Sequence, residues 1–561
     1  MVRKALEVVY KEIRGLHQAA YVVALFTVGS QVLALVRDRL LAHQFGAGTE
    51  LDLYYAAFRI PDLLYVLFAS ALSVYVLIPF VSEHLEKKGG LQAKRFLSQV
   101  YSLFLIAYGL LALTIGIFAP KLIPFVFPGF VEHTEQLTLL IRVLLLQPLF
   151  LGVSSLCSVV TQLHKRFVLY ALSPLVYNIG IILGILFLYP YFGLSGITIG
   201  VVLGAVAHVA IQLPFVRRSE LIPQFTLNFD VQEMFRVLRT SIPRALTLSL
   251  HQFVLLGLVG FASSMAVGSV SVFQFGFNLQ SVPLAIIGVS YSVAAFPTLA
   301  RLYSESKFPE FSAFLLTALR HVIFWSLPVI ALLVVIRAQF VRVILGTGAF
   351  DWNDTRLTAA VFALFVISMV AQSISLLLVR ALYATGNTKV PLIVTLCSSV
   401  GIFVAAFVLY SLFITIPSFQ FMIENTLRLS GVPGTEVVAL ALGYTIVVIL
   451  HGLILLIISA RLIDFSLRVL LIQFLKALVA ALVAGFVAYS TLNLFVESLR
   501  TETLLAVFTQ GLLAGSIGIL GAGVTYYLLG SQELKDVFQS FHRLIFKSSV
   551  PAPQDEDTLS V

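Results

Sequence analysis

The sequence predicts an all-α polytopic membrane protein with about 14 transmembrane helices, and three observations point that way. Of 561 residues, 59% are hydrophobic and only 11% charged, with a mean hydropathy of +1.00. Soluble domains run at roughly 45–50% apolar and about 25% charged. Apolar runs of about 20 residues, enough to cross a hydrocarbon core, recur from end to end. The basic residues punctuate those runs, although the net charge is +9. Gathered on one solvated face they would suggest nucleic acid; between apolar runs they mark topology. A soluble enzyme and a nucleic-acid binder are thereby excluded.

In chain order the spans fall at 18–42, 54–82, 97–119, 136–162, 168–189, 193–216, 241–264, 269–299, 312–336, 357–384, 389–416, 434–460, 467–495 and 503–529. An even number puts both termini on one side. Lys and Arg occur at the N-terminus (Arg3, Lys4, Lys11, Arg14) and then in alternate loops. Those loops carry Lys87, Lys88, Lys94 and Arg95; Lys165 and Arg166; Arg217, Arg218, Arg236, Arg239 and Arg244; Arg301 and Lys307; Arg380 and Lys389; Arg461 and Arg468; Lys535, Arg543 and Lys547. Together they are 24 of the 36 basic residues, so both termini are expected in the cytoplasm. The segment 1–15 is amphipathic with mixed charge, and the first apolar run is too long for a signal core, so no cleavable signal is expected.

Between spans six and seven, 219–237 mixes Phe, Leu and Ile with Glu, Asp and Arg, and is expected to form an interfacial amphipathic helix. The stretch 532–547 has the same character, and the polar tail after Ser548 is expected to be disordered. Sliding the chain by about 217 residues brings Pro79 near Pro297, Gly129 onto Gly346 and Pro174 onto Pro391. That offset holds six spans, so the two copies share one orientation, with the substrate path expected between them. The expected domains are an N-lobe at 1–218, an interfacial linker at 219–240, a C-lobe at 241–461, a helix pair at 462–530 and a cytoplasmic tail at 531–561.

No phosphate-binding loop, HExxH motif or dinucleotide turn is present, so no cofactor, metal or ATP-driven step is expected. Cys157 and Cys397 lie inside apolar runs and suggest neither a disulfide framework nor a thiolate metal site. The longest loop, 417–434, holds a single acidic residue, Glu424, which argues against a membrane glycosyltransferase.

Charge at membrane depth costs upward of about 2.5 kcal/mol per residue, so each case needs a reason. The strongest case is Ser30-Gln31 followed by Arg37-Asp38-Arg39. Arg37 lies roughly 27 Å along a helix begun at Ala19. From the residues alone two readings stand: side chains reaching the outer interface, or a cationic patch lining a cavity. In the second, Arg37 is a fork-shaped donor for phosphate and Asp38 holds its orientation. His208 with Gln212 and His251 with Gln252 are expected to bond neighbouring helices or line a cavity. Asn178, Gln147 and Gln372 are expected to hold helices together, and Lys476 to meet a lipid head group.

The pattern Ser30…Val36-Arg37-Asp38…Phe45-Gly46-Ala47-Gly48…Asp52…Ala57-Phe58-Arg59-Ile60-Pro61-Asp62-Leu63-Leu64 resembles the opening of the MurJ/MviN lipid II flippase family. This family lies within the multidrug/oligosaccharidyl-lipid/polysaccharide exporter superfamily. The resemblance implies two six-helix lobes in parallel repeat and a C-terminal helix pair forming a lipid-tail groove. It further implies alternating access that moves an undecaprenyl-pyrophosphate-linked peptidoglycan precursor from the inner to the outer leaflet of the bacterial plasma membrane. The sequence departs from the family pattern at Gln31, at Tyr65-Val66 after Leu64, at Ser70-Ala71 and at Phe277-Asn278, where arginines or acidic residues are usual. Arg37 is then the expected main contact for the anionic head group, with Arg59 and Arg39 adding charge. Ser30, Gln31, Tyr65, Asn278 and Gln280 would be neutral donors; Asp52, Pro61, Asp62 and Pro283 would shape the portal.

No acidic cluster lies inside a lobe, so membrane potential acting on the charged cavity is the expected drive, at about 2.3 kcal/mol per charge per 100 mV. The expected partners are a lipid-linked cell-wall precursor, membrane lipids and cell-wall synthases, with the chain a monomer. The alternatives are a flippase for another lipid-linked oligosaccharide, an amphiphilic-drug exporter, and a non-transporting scaffold for wall synthesis.

Overall fold

The computed structural model describes residues 16–496 and 503–546; the segment 1–15 and the tail beyond Phe546, each given an expectation above, lie outside them. The described residues form helices and connecting turns, with no strand among them. The first half of the chain contains α1 (Leu16–Phe45), α2 (Thr49–Ala71), α3 (Val74–Lys88), then α4 (Gly90–Val126), α5 (Pro128–Leu163), α6 (Phe167–Phe192) and α7 (Leu194–Arg218). The second half contains α8 (Val231–Ser263), α9 (Ser269–Ser304), α10 (Phe308–Val335), α11 (Arg337–Leu345), α12 (Trp352–Ile367), α13 (Met369–Ala384), α14 (Lys389–Thr415), α15 (Pro417–Leu427) and α16 (Val437–Ile463). The chain closes with α17 (Leu467–Val496), α18 (Leu504–Leu528) and α19 (Gln532–Phe546).

Among the described residues, eleven helices are long and apolar enough to cross a membrane, or twelve if α12 and α13, bent by 43°, form one span. α1 and the α2–α3 pair, at the places of the first two expected spans, fall outside that count. The expected span 54–82 is two helices: Ser73 takes an extended conformation (ψ 144°) and starts α3 afresh.

The interfacial helix expected over 219–237 is not formed. Residues 221–230 are irregular, and helix begins only at Val231 and runs on to Ser263. Pro223 has no N–H for a helix, and the backbone of this stretch finds partners elsewhere. The N–H groups of Gln224 and Thr226 donate to the Ser98 and Ser102 hydroxyls of α4, at 2.9 and 2.8 Å. Gln99 Nε2 donates to the Asn228 carbonyl at 2.9 Å. At the end of this strap the Asp230 side chain caps α8 by accepting from Glu233 N at 3.1 Å. Close by, His84 Nε2 of α3 sits 2.9 Å from the Glu233 carboxylate.

Glycines set the closest helix packing, as expected where no hydrophobic drive acts between helices. A Cβ on Gly180 would lie 2.4 Å from Gly204 Cα, and one on Gly200 would lie 2.5 Å from Gly184 Cα, so α6 and α7 touch backbone to backbone. The two halves pack chiefly through α2 against α8. α17 and α18 pack on each other and on α10 through Leu332, Ala484, Ala488, Ala514 and Ala522. α19 is pinned beneath them: Glu533 is buried and ion-paired to Arg320 of α10 at 2.5 Å.

Candidate functional site

The charged residues of α1 and α2 meet polar residues of α9 where the two halves touch. Arg37 Nε and Nη2 donate to Asp38 Oδ1 at 3.0 and 2.8 Å, and Nη1 donates to Asn178 Oδ1 of α6 at 3.4 Å. Adjacent residues on a helix point about 100° apart, so this pairing requires the long arginine to fold back along α1. Asn178 Nδ2 donates in turn to Ser30 Oγ at 3.2 Å. The second Asp38 oxygen accepts from Asn278 Nδ2 of α9 at 2.9 Å. Gln274, one turn earlier on α9, donates to Asn278 Oδ1 at 2.6 Å and accepts from Arg59 Nη2. The result is one chain of hydrogen bonds, Ser30–Asn178–Arg37–Asp38–Asn278–Gln274–Arg59, running from the first half into the second and back.

Burial makes this chain consequential. Asp38 is 3% exposed and Arg59 6%, while the Arg37 side chain keeps 21%. Among the described residues, Nε of Arg59 has no partner. A buried cation with an idle donor is expensive unless something anionic meets it. Asp62 joins this cluster near Arg59, Gln147 and Arg37, and Tyr65 lies between Asp62 and Ser155.

Other expected site residues are placed elsewhere. Arg39 does not join Arg37: two positions on, it points to the other side of α1 and donates to the carbonyls of Val343 and Ile344 at the end of α11. There it caps a helix C-terminus, a favourable place for a cation. Gln280 is buried within the second half and accepts from Gln372 at 3.1 Å. Gln31 is half-buried and takes no part in the chain. Pro61 lies inside α2, and Pro283 inside α9 just before a wide turn at Ala285–Val289.

Asp52 has a distinct task. It is 3% exposed and accepts from Gly268 N and Ser271 N, both at 2.7 Å, and from Ser271 Oγ at 2.5 Å. A carboxylate of one half thus caps the N-terminus of α9 in the other, where unpaired N–H groups and the helix dipole favour it. Beside it, Ala47 N donates to Asp354 at the start of α12 (3.1 Å), and Ala349 N donates to the His43 carbonyl (2.9 Å). Three glycines with positive φ make this seam possible. A Cβ would lie 2.7 Å from Ala349 O on Gly46, 2.3 Å from Ala47 O on Gly268, and 2.3 Å from His43 O on Gly348. The halves are therefore shut backbone to backbone at the end of α1.

Sequence reasoning missed Gln274, whose i, i+4 spacing to Asn278 on α9 was the available signal, and took Asn178 for helix glue. Asp354 gave a capping signal only. Of the histidines and glutamines flagged in pairs, His208 and Gln212 both bond Ser154 of α5, at 2.5 and 2.7 Å.

Comparison with known proteins adds an independent finding. The family profile described as lipid II flippase MurJ matches residues 41–509. A "Probable lipid II flippase MurJ" of Buchnera aphidicola subsp. Acyrthosiphon pisum is 30% identical over 377 residues, 66% of this chain and 73% of that protein. A "Lipid II flippase MurJ" of Burkholderia cenocepacia is 26% identical over 387 residues, 67% and 75% of the two chains. Among solved structures, one described as lipid II flippase MurJ in an inward closed conformation has a TM-score of 0.72 at 22% identity, covering 90% of this chain and 99% of its own. An inward-facing multidrug resistance MATE family transporter of the MOP superfamily has a TM-score of 0.62 at 14% identity, covering 78% and 94%.

Proposed function

Because this multi-pass membrane protein belongs to the MurJ lipid II flippase family, we propose that it carries lipid II from the inner to the outer leaflet of the bacterial plasma membrane. The reading is of a transporter, not an enzyme, that alternates access between an N-lobe (1–218) and a C-lobe (241–461), with both termini cytoplasmic. Helices 462–530 offer a groove for the lipid tail. The chain acts as a monomer, with wall synthases as neighbours.

The observation that carries this is the pair of cations, Arg59 buried and Arg37 half-buried, at the meeting of the two halves. A pyrophosphate crossing the bilayer sheds much of its water and needs donors in exchange. Arg37 holds the head group, and Arg59, with its idle Nε, is the second cation. Asp38 and Asn178 hold the Arg37 guanidinium and Gln274 holds that of Arg59, so binding exchanges one set of partners for another. Asp52 and the glycine seam close the outer side meanwhile.

The test is outer-leaflet exposure of the lipid-linked precursor in cells depleted of their own flippase and supplied with this chain. Restored exposure supports the reading, and its absence with normal membrane insertion removes it. Because Gln31 and Asn278 stand where the family usually has charge, a less anionic lipid-linked oligosaccharide is the second reading. Under that reading exposure of such a lipid, but not of lipid II, is restored.

A further inference from the structure

α4 and α5 face each other across a groove of about 440 Å³ lined by Tyr108, Gly109, Ala112, Leu113, Gly116 and Ile117 on α4 and by Arg142, Leu145, Leu146 and Leu149 on α5. None of the residues of the Arg37–Arg59 cluster lines it. Every lining residue is apolar or small except Tyr108, whose hydroxyl is spent on the Leu145 carbonyl, and Arg142. A cation in an apolar groove at membrane depth calls for a reason.

Half of the reason lies within the protein. Pro120 of α4 has no N–H, so the Gly116 carbonyl four residues earlier loses its helical donor. Arg142 Nε supplies one at 2.8 Å. That accounts for one nitrogen of the guanidinium. Nη1 and Nη2, with four N–H donors between them, have no partner among the described residues, and the residue is exposed at the groove.

Depth supplies the other half. Gly116 lies 10 residues before the end of α4 at Val126, roughly 15 Å short of it, and about 7 Å deeper than the exposed Lys121. Beyond Lys121, Phe125 is 86% exposed one residue before α4 ends, so Lys121 is the charge that marks the approach to the head groups. Arg142 is thus placed just below head-group level, where its free end can turn up toward a phosphate beside Lys121 while the groove beneath accepts a hydrocarbon chain.

We propose that this groove is a binding site for a diacyl phospholipid with an anionic head group, its phosphate on Arg142 Nη1 and Nη2 and one acyl chain against Gly109, Gly116 and Leu149. In the topology proposed above, the lipid belongs to the outer leaflet. The site does not depend on the cargo reading.

Native mass spectrometry of the full chain in detergent, with added phosphatidylglycerol or phosphatidylcholine of matched acyl chains, tests it. The expected result is about fivefold higher occupancy by phosphatidylglycerol, the preference that one basic residue near an anionic surface gives. That preference is lost in Arg142→Gln and kept in Arg142→Lys and in the control Arg217→Gln. Gly109→Leu is the second variant. Its Cβ meets nothing within 4 Å, so it fills the groove while sparing the bond to Gly116, and it lowers occupancy as well. Equal binding of the two lipids by the unsubstituted chain overturns the proposal. So does an undiminished preference in Arg142→Gln, which would leave Arg142 only its bond to α4, or an undiminished occupancy in Gly109→Leu.

Discussion

Asp38 of α1 and Asn278 of α9, 240 residues apart in sequence, meet at 2.9 Å across the line between the two halves. The same carboxylate holds Arg37 on its other oxygen, so the bond that orients the cation and the bond that joins the halves share one group. Asn278→Asp sets a second carboxylate against the first, and like charges at that distance cannot both ionise without cost. The expected outcome is a weakened contact between the halves, read as faster maleimide labelling of a cysteine placed at Ala47. An unchanged labelling rate would show that this bond does not help hold the halves together.

Arg37→Ala leaves Asp38 as a buried charge without its partner, a loss of about 3–5 kcal/mol. It is expected to abolish precursor exposure in a depleted strain and to lower thermal stability. The double variant Arg37→Ala, Asp38→Ala removes the stranded charge and is expected to regain stability without regaining transport. Recovery of transport by the double variant would remove Arg37 from the site.

Gly268 has φ +90° and its absent Cβ would sit 2.3 Å from the Ala47 carbonyl oxygen. Gly268→Ala adds about 1–2 kcal/mol of left-handed strain to that collision, so the seam beside Asp52 cannot close. In a background lacking Cys157 and Cys397, a cysteine at Ala349 is then expected to react faster with an impermeant maleimide added from outside. An equal rate would place the outer seal elsewhere.

The Glu533 carboxyl is pushed up by burial, but hydrogen bonds from Ser531 and the backbone together with Arg320 pull it to a net value below the ordinary 4.5. A depressed carboxylate stabilises above its unfolded pKa and loses that contribution as pH falls through the folded value. The docking of α19 on α10 is therefore expected to hold at neutral pH and fail below 4.5. A spin label at Gln539 should gain mobility on acidification, and Glu533→Gln should be mobile at every pH. A label whose mobility ignores pH would show that this ion pair does not hold the helix.

Helical class, membrane residence and family were legible in the sequence because they rest on composition, run length and one local motif. The pairing of Arg37 with Asp38 was legible for the same reason, since both lie in that motif. Where residues meet across the halves was not. Arg39 looks equivalent to Arg37 in the chain, yet two helix positions turn it toward the carbonyls that end α11. Gln274 looks like one more polar residue in an aromatic run until α9 is laid against Arg59. The segment 219–237 misled because its composition suits an interfacial helix, whereas the serines of α4, more than a hundred residues away, claim its backbone.

That strap has a mechanical corollary. The peptide joining the halves is stitched to α4 up to Asn228, and its far end is stiffened by the Asp230 cap and the His84–Glu233 contact. Slack is thus confined to Phe229, between the Asn228 tie and the Asp230 cap, which becomes a pivot with α8 as its crank. Over 33 residues that crank is roughly 50 Å long, so a turn of about 10° at its base sweeps the far tip by some 9 Å.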